Sequence, residues 1–187
     1  MTFFLEKLLR MAEKKLGNRL KNIITDLSST DEKKVFTALK QVRKHGKREA
    51  IIPLVDLLCS TTNEEVKNEI AAILFDLKDQ TVVEDLILAL DDEKYITEKA
   101  TLVAVFWQSS LDSSEHITTI VNQAIKGDYL VAIEVLSVID NYEATFQETE
   151  IEDLKFDLDE AIQTEETEKR NLLITIRSAI DALNLEF

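Results

Sequence analysis

Ile51-Ile52-Pro53-Leu54-Val55-Asp56-Leu57-Leu58 sets an apolar stripe around a proline. Ile51, Leu54 and Leu58 are spaced i, i+3, i+7, one face of a helix, and Pro53 falls in the first turn, where a missing amide hydrogen costs nothing. The same spacing recurs at Leu20, Ile23 and Leu27, at Val83, Leu86 and Leu90, at Ile117, Ile120 and Ala124, and at Ile151, Leu154 and Leu158. A second kind of stripe, spaced i, i+4, i+7, precedes each of these: Phe4, Leu8 and Met11; Val35, Leu39 and Val42; Val66, Ile70 and Ile73; Ile96, Ala100 and Val103; Val131, Val135 and Val138. Both series step by 30 to 35 residues. One helix pair cannot bury two apolar stripes alone, so a repeat of this period predicts pairs stacked in a row. The expected fold is all-α, an α-solenoid of about five helix pairs closed by a C-terminal capping helix.

The expected domain is single, 1–187, with an N-terminal basic helix pair over 1–28, central repeats over 29–163 and a terminal cap over 164–187. The first helix is expected over 2–16, with Gly17 as a left-handed cap and Asn18 starting the next. Pair two spans about 31–59 and breaks at His45-Gly46, while pair three starts at Asn63 and turns at Asp79-Gln80. Pair four spans about 92–126 with an inner loop over 109–114, and Gly127 stops it. Pair five starts at Asp128, and a nine-residue loop, 142–150, precedes its second helix. A last helix over about 165–183 carries Leu172, Ile176 and Ala179 as its inward stripe and lacks a partner, as the lid of a stack would.

Composition agrees with helices throughout. Three Gly and one Pro leave little punctuation for strands and hairpins. The lone Cys59 excludes an internal disulfide and reads as a small, partly buried helix-end residue. No segment reaches the roughly 18 apolar residues that span a bilayer, and Glu6 and Lys7 interrupt the apolar start as no secretory signal would. A soluble, cytoplasmic setting is the expectation. Net charge is −14, divided unevenly: residues 1–50 carry 13 Lys or Arg against 6 Asp or Glu, and residues 51–187 carry 9 against 30. The acidic part repels nucleic acid and anionic membranes and attracts cationic partners.

Two fragments, Ile52-Pro53-Leu54-Val55-Asp56-Leu57-Leu58 and Val83-Glu84-Asp85-Leu86-Ile87-Leu88-Ala89-Leu90, together with the repeat step, resemble the second helices of the HEAT family of helical repeats. The resemblance covers about residues 31–165. The chain departs from the family pattern in having one of the expected prolines and no repeated Asp-Val-Arg start. The resemblance implies a right-handed superhelix whose second helices line a concave face that binds proteins or peptides. On that face, repeat register puts Asp56, Glu84, Asp85, Asp153 and Asp157 in an acidic row, with Leu88 and Phe156 as apolar positions among them.

Chemistry is sparse. His45, His116 and Cys59 are too few and too far apart in sequence for a zinc site or a nucleophile–base pair, and both histidines read as helix-end surface residues. Carboxylate pairs such as Asp153 and Asp157, Asp157 and Glu160, and the run Asp91-Asp92-Glu93 read as solvated faces, and no calcium loop with its central Gly is present. Trp107 reads as packing between repeats. Some HEAT-like proteins are DNA glycosylases and others are bilin lyases, but an acidic groove lacks the cations that would neutralise phosphates. The expected function is therefore non-catalytic: a protein- or peptide-binding scaffold, without cofactor or metal, whose partner is basic. Weak self-association, with the basic N-terminal end of one copy on the acidic remainder of another, is the alternative among interaction roles. The N-terminal stripe of Phe4, Leu8 and Met11 reads as the cap of the stack rather than a membrane-surface helix.

Overall fold

The computed structural model describes residues 17–45 and 48–186 of the chain. The helix expected over 2–16, its basic residues and the His45-Gly46 break lie partly or wholly outside these, as does the His45 side chain. The described residues are mostly helical: α1 over 17–27, α2 Glu32–His45, α3 Ile51–Ser60, α4 Glu64–Phe75, α5 Val83–Asp91, α6 Lys99–Gln108, α7 Ile117–Lys126, α8 Tyr129–Asp140, α9 Glu148–Thr164 and α10 Lys169–Asp181. Two three-residue strands, β1 Thr145–Gln147 and β2 Asn184–Glu186, pair in parallel with Phe146 opposite Leu185. Contacts divide the chain into two compact units, Met1–Ile73 and Leu74–Phe187.

The helix starts follow from short polar side chains. The Asp31 carboxylate accepts from Lys33 N at 3.0 Å, Asn63 Oδ1 from Glu65 N at 2.9 Å, and Asp128 Oδ1 from Val131 N at 3.0 Å. Each satisfies an amide that the first helical turn leaves unpaired, and each cap is worth about 1 kcal/mol. Asp79, Asp92 and Asp112 do the same for the short 3-10 turns that lead into α5, α6 and α7. Gly17 differs from its expected role: it is helical, within α1, with no positive φ. Gly127 ends α7 as expected, though for a different reason than a left-handed backbone. Its φ is −80°, and a Cβ there would lie 2.6 Å from Gln123 O and 2.8 Å from the Val131 side chain. Only glycine lets α7 and α8 approach so closely.

In the first unit, Ile23, Leu27, Val35, Leu39, Ile51, Leu54, Leu58, Val66 and Ile70 are all buried. The α2 and α4 helices are tied at two heights: Asn63 Nδ2 donates to Glu32 Oε1 at 2.9 Å, and Arg43 lies 3.4 Å from Glu69. In the second unit the helices pack as two rows. The α6, α8 and α10 helices lie side by side in one, α5, α7 and α9 in the other, and the sequential neighbours α5–α6, α7–α8 and α9–α10 join the rows. The inward stripes Val83, Leu86 and Leu90, Ile117, Ile120 and Ala124, and Ile151, Leu154 and Leu158 are all buried between them. Each large member contributes about 1.5–3 kcal/mol on burial.

Three expectations fail locally. Ile96 is 66% exposed, because residues Glu93–Glu98 form a kinked 3-10 segment, with Tyr95 at φ −104° and ψ 17°, and the turn swings Tyr95 inward instead. Helix α10 buries Leu173, Ile176 and Ile180, one residue out of the register expected from Leu172 and Ala179. The long loop after α8 is shortened by β1, whose Phe146 is buried and packs against Tyr142 with ring centroids 5.5 Å apart and the planes tilted by 59°. Tyr142 shares its hydroxyl with the buried Ser113 at 3.1 Å, and burial, the largest influence on it, pushes its ionisation well above the ordinary tyrosine value.

Lysine 169 is the least expected core residue. The residue is 8% exposed, and its ammonium donates to Ile125 O at 2.9 Å and Gly127 O at 2.8 Å, so the N-terminus of α10 supplies the missing cap of α7. Glu165 completes the arrangement at 3.3 Å. The Glu165 carboxylate also accepts from the Thr167 hydroxyl at 2.6 Å and its amide at 3.0 Å; these bonds first, and the nearby Lys169 after them, hold its pKa down at about 2. The stabilisation this gives is complete above the ordinary value of 4.5 and is lost as pH falls through about 2. Carboxyl-detected NMR titration is expected to show Glu165 still ionised at pH 3, and Thr167→Val is expected to bring its midpoint up toward the ordinary value. A wild-type midpoint near 4.5 contradicts the described contacts.

Candidate functional site

The row of α5, α7 and α9 buries one face and shows the other. Repeat register aligns Glu84 with Thr118 and Glu152, Asp85 with Thr119 and Asp153, and Leu88 with Asn122 and Phe156. Burial follows that alignment. Glu84, Thr118, Glu152 and Asp153 are exposed, Asp85, Thr119 and Asn122 are half-buried, and Leu88 and Phe156 are 67% and 62% exposed. Both belong to helices whose other large apolar residues are mostly buried, so neither is an end effect. Asp157 and Glu160 are exposed one turn beyond, beside a shallow depression of about 570 Å³ that also takes in Asn122 and Ile125 of α7.

Six of the seven expected site residues therefore sit on this row: Glu84, Asp85 and Leu88 on α5, and Asp153, Phe156 and Asp157 on α9. The acidic residues are not continuous across it. Helix α7 lies between with Thr118 and Asn122, so the face has two acidic flanks and a neutral polar centre. The seventh, Asp56, belongs to the first unit. There it is half-buried and lines a depression of about 570 Å³ with Pro53 and the hydroxyl-rich turns at 28–30 and 60–62.

Charge on the row is one-sided. Helix α9 has seven carboxylates and one basic residue, Lys155. That lysine offsets Glu152, 2.8 Å from its ammonium, and reaches α10 at Asp181, 3.0 Å away, so the carboxylates of Asp153 and Asp157 carry the acidic flank of α9. The Glu152 bond, then the Asp181 bond, raise its pKa, and Lys155 and then Arg177 lower that of Asp181. Helix α5 has no Lys or Arg, and α7 has only Lys126, its last residue. His116 lies 3.4 Å from Glu84, at the start of α7.

Polar groups that the sequence left unassigned turn out to join helices. Gln123 is buried at 2% exposure, donates to Asp91 Oδ1 at 3.0 Å and accepts from Lys99 Nζ at 3.3 Å, linking α5, α6 and α7. Trp107 is half-buried and donates its indole N–H to Glu134 Oε2 at 2.7 Å, consistent with packing between repeats. Glu150 adds to the acidic flank of α9 and was missed among the neighbouring charges; it accepts from the Thr118 hydroxyl at 2.9 Å. Among the described residues no group of three or more His, Cys, Asp and Glu is arranged to hold a metal ion. No described helix is long and apolar enough to cross a membrane. No profile of a protein family, no curated protein and no solved structure matches the chain.

Proposed function

We propose that this chain is a non-catalytic binding module of the α-solenoid kind, resembling HEAT repeats, and that the outer face of α5, α7 and α9 holds a positively charged peptide or protein segment. One observation carries the reading. Leu88 and Phe156 occupy equivalent positions in their repeats, are more than three-fifths exposed, and are flanked by carboxylates. Lone exposed apolar residues are common on protein surfaces; what sets these two apart is that they share one register position on one face, among carboxylates, with Asn122 between them. The acidic flanks steer a cationic segment toward the face, and the two apolar contacts supply short-range affinity once it arrives. A phosphate-bearing ligand is disfavoured by the same charge.

The reading is tested with a fluorescent amphipathic peptide rich in Lys and Arg. Affinity is expected to fall as salt rises, and Phe156→Ala is expected to weaken binding about tenfold by removing an apolar anchor. The double variant Asp153→Lys, Asp157→Lys is expected to slow association more than it speeds dissociation. Binding that ignores salt, or no binding to any such peptide, rejects the proposal.

A further inference from the structure

We infer that the segment this face receives is the N-terminal segment of a second copy of the chain, which then covers that copy's face in place of capping its own stack. The inference rests on the binding reading just given and names its partner. Two complementarities point to it. Residues 1–16 bear Phe4, Leu8 and Met11 at i, i+4, i+7, the same spacing of apolar residues that the later repeats bury. Lys7, Arg10 and Lys14 are interleaved with them. A segment with both properties offers what Leu88 and Phe156, set between carboxylates, require: apolar side chains to cover them and cations to meet the flanks.

The segment is long enough to reach both positions. Two steps between neighbouring helices, at about 8–10 Å each, separate Leu88 from Phe156 by roughly 16–20 Å. A chain the length of residues 1–16 extends about 24 Å even at a helical rise, of which Phe4 to Met11 takes up about 10 Å. Charge favours pairing between copies, since residues 1–16 hold 4 Lys or Arg against 2 Glu, while residues 51–187 hold 9 basic against 30 acidic residues. Such pairing is strongest at low salt and screened at high salt.

Sedimentation velocity of the full chain over a concentration series tests this. The chain is expected to self-associate at low salt, with affinity at least tenfold weaker at high salt. The variant carrying Lys7→Glu, Arg10→Glu and Lys14→Glu, and separately Phe156→Asp, are each expected to remain monomeric where the wild type associates. Mixed together they are expected to form a heterodimer, because one keeps an intact face and the other an intact segment; a misfolded variant could not do so. A wild-type monomer at every concentration in low salt, or association that survives both variants, overturns the inference. A parallel titration with an unrelated Lys/Arg-rich amphipathic peptide separates the two readings. If that peptide binds the Leu88 and Phe156 face while the chain stays monomeric, only the choice of partner is wrong; if it does not bind and the chain stays monomeric, the binding reading fails as well.

Discussion

Lys169→Met is expected to destabilise the fold by about 2–4 kcal/mol, because it leaves the carbonyls of Ile125 and Gly127 without their buried donor. The methylene stem is replaced almost in full, so the loss reports the ammonium and not a cavity. With the second unit's α10 released from the end of α7, urea denaturation is expected to show a lower midpoint. The melting temperature is expected to fall by about 5–15 °C, taking the usual shift per kcal/mol for a chain of this size. A midpoint unchanged from wild type would show that the lysine is solvated and that α10 is held by Leu173, Ile176 and Ile180 alone.

The second large effect separates fold from function at two residues half a helical turn apart. Leu86 is fully buried and Leu88 is 67% exposed on the same helix. Leu86→Asp puts an unpaired carboxylate between the two rows and is expected to unfold the second unit, at a cost above about 4 kcal/mol. Leu88→Asp is expected to leave stability within about 0.5 kcal/mol of wild type. It is expected instead to weaken binding of a basic amphipathic peptide about tenfold, since it removes one of the two apolar contacts that the proposed face offers. Circular dichroism and the peptide titration, run on both variants, check the two halves together. Equal loss of stability in both would place Leu88 in the core and remove the proposed face.

The inward faces were legible because burial repeats with the sequence. Ile51, Leu54 and Leu58, and their counterparts in the next three repeats, are buried as their spacing requires. The caps were legible for the same local reason, since Asn63 and Asp128 precede apolar stripes and act within two or three residues. What escaped depends on partners far along the chain. Lys169 sits in the run Glu165-Glu166-Thr167-Glu168-Lys169-Arg170, which reads as a solvated helix end, and only carbonyls more than forty residues away make it a core residue. Ile96 kept the spacing of its stripe but lost the helix beneath it, because a 3-10 segment advances by fewer residues per turn and turns Tyr95 inward. The two short strands, three residues each, carry no alternation long enough to read.

The candidate face was legible in part. Leu88 and Phe156 were found from register alone, and their exposure follows from the same register that buries Leu86 and Leu154. The neutral strip of Thr118 and Asn122 between the acidic flanks becomes visible only once α7 is seen between α5 and α9. Asp56 shares their register but lies in the first unit, lining a separate polar depression.

Backbone amide shifts of the labelled chain, recorded while an unlabelled Lys/Arg-rich amphipathic peptide is added at low salt, report which face the peptide occupies. Perturbations are expected to concentrate at Glu84, Leu88, Thr118, Asn122, Asp153, Phe156 and Asp157 and to be reversed by added salt. Shifts confined to the opposite row of α6, α8 and α10, or none at all, would contradict the proposed binding face.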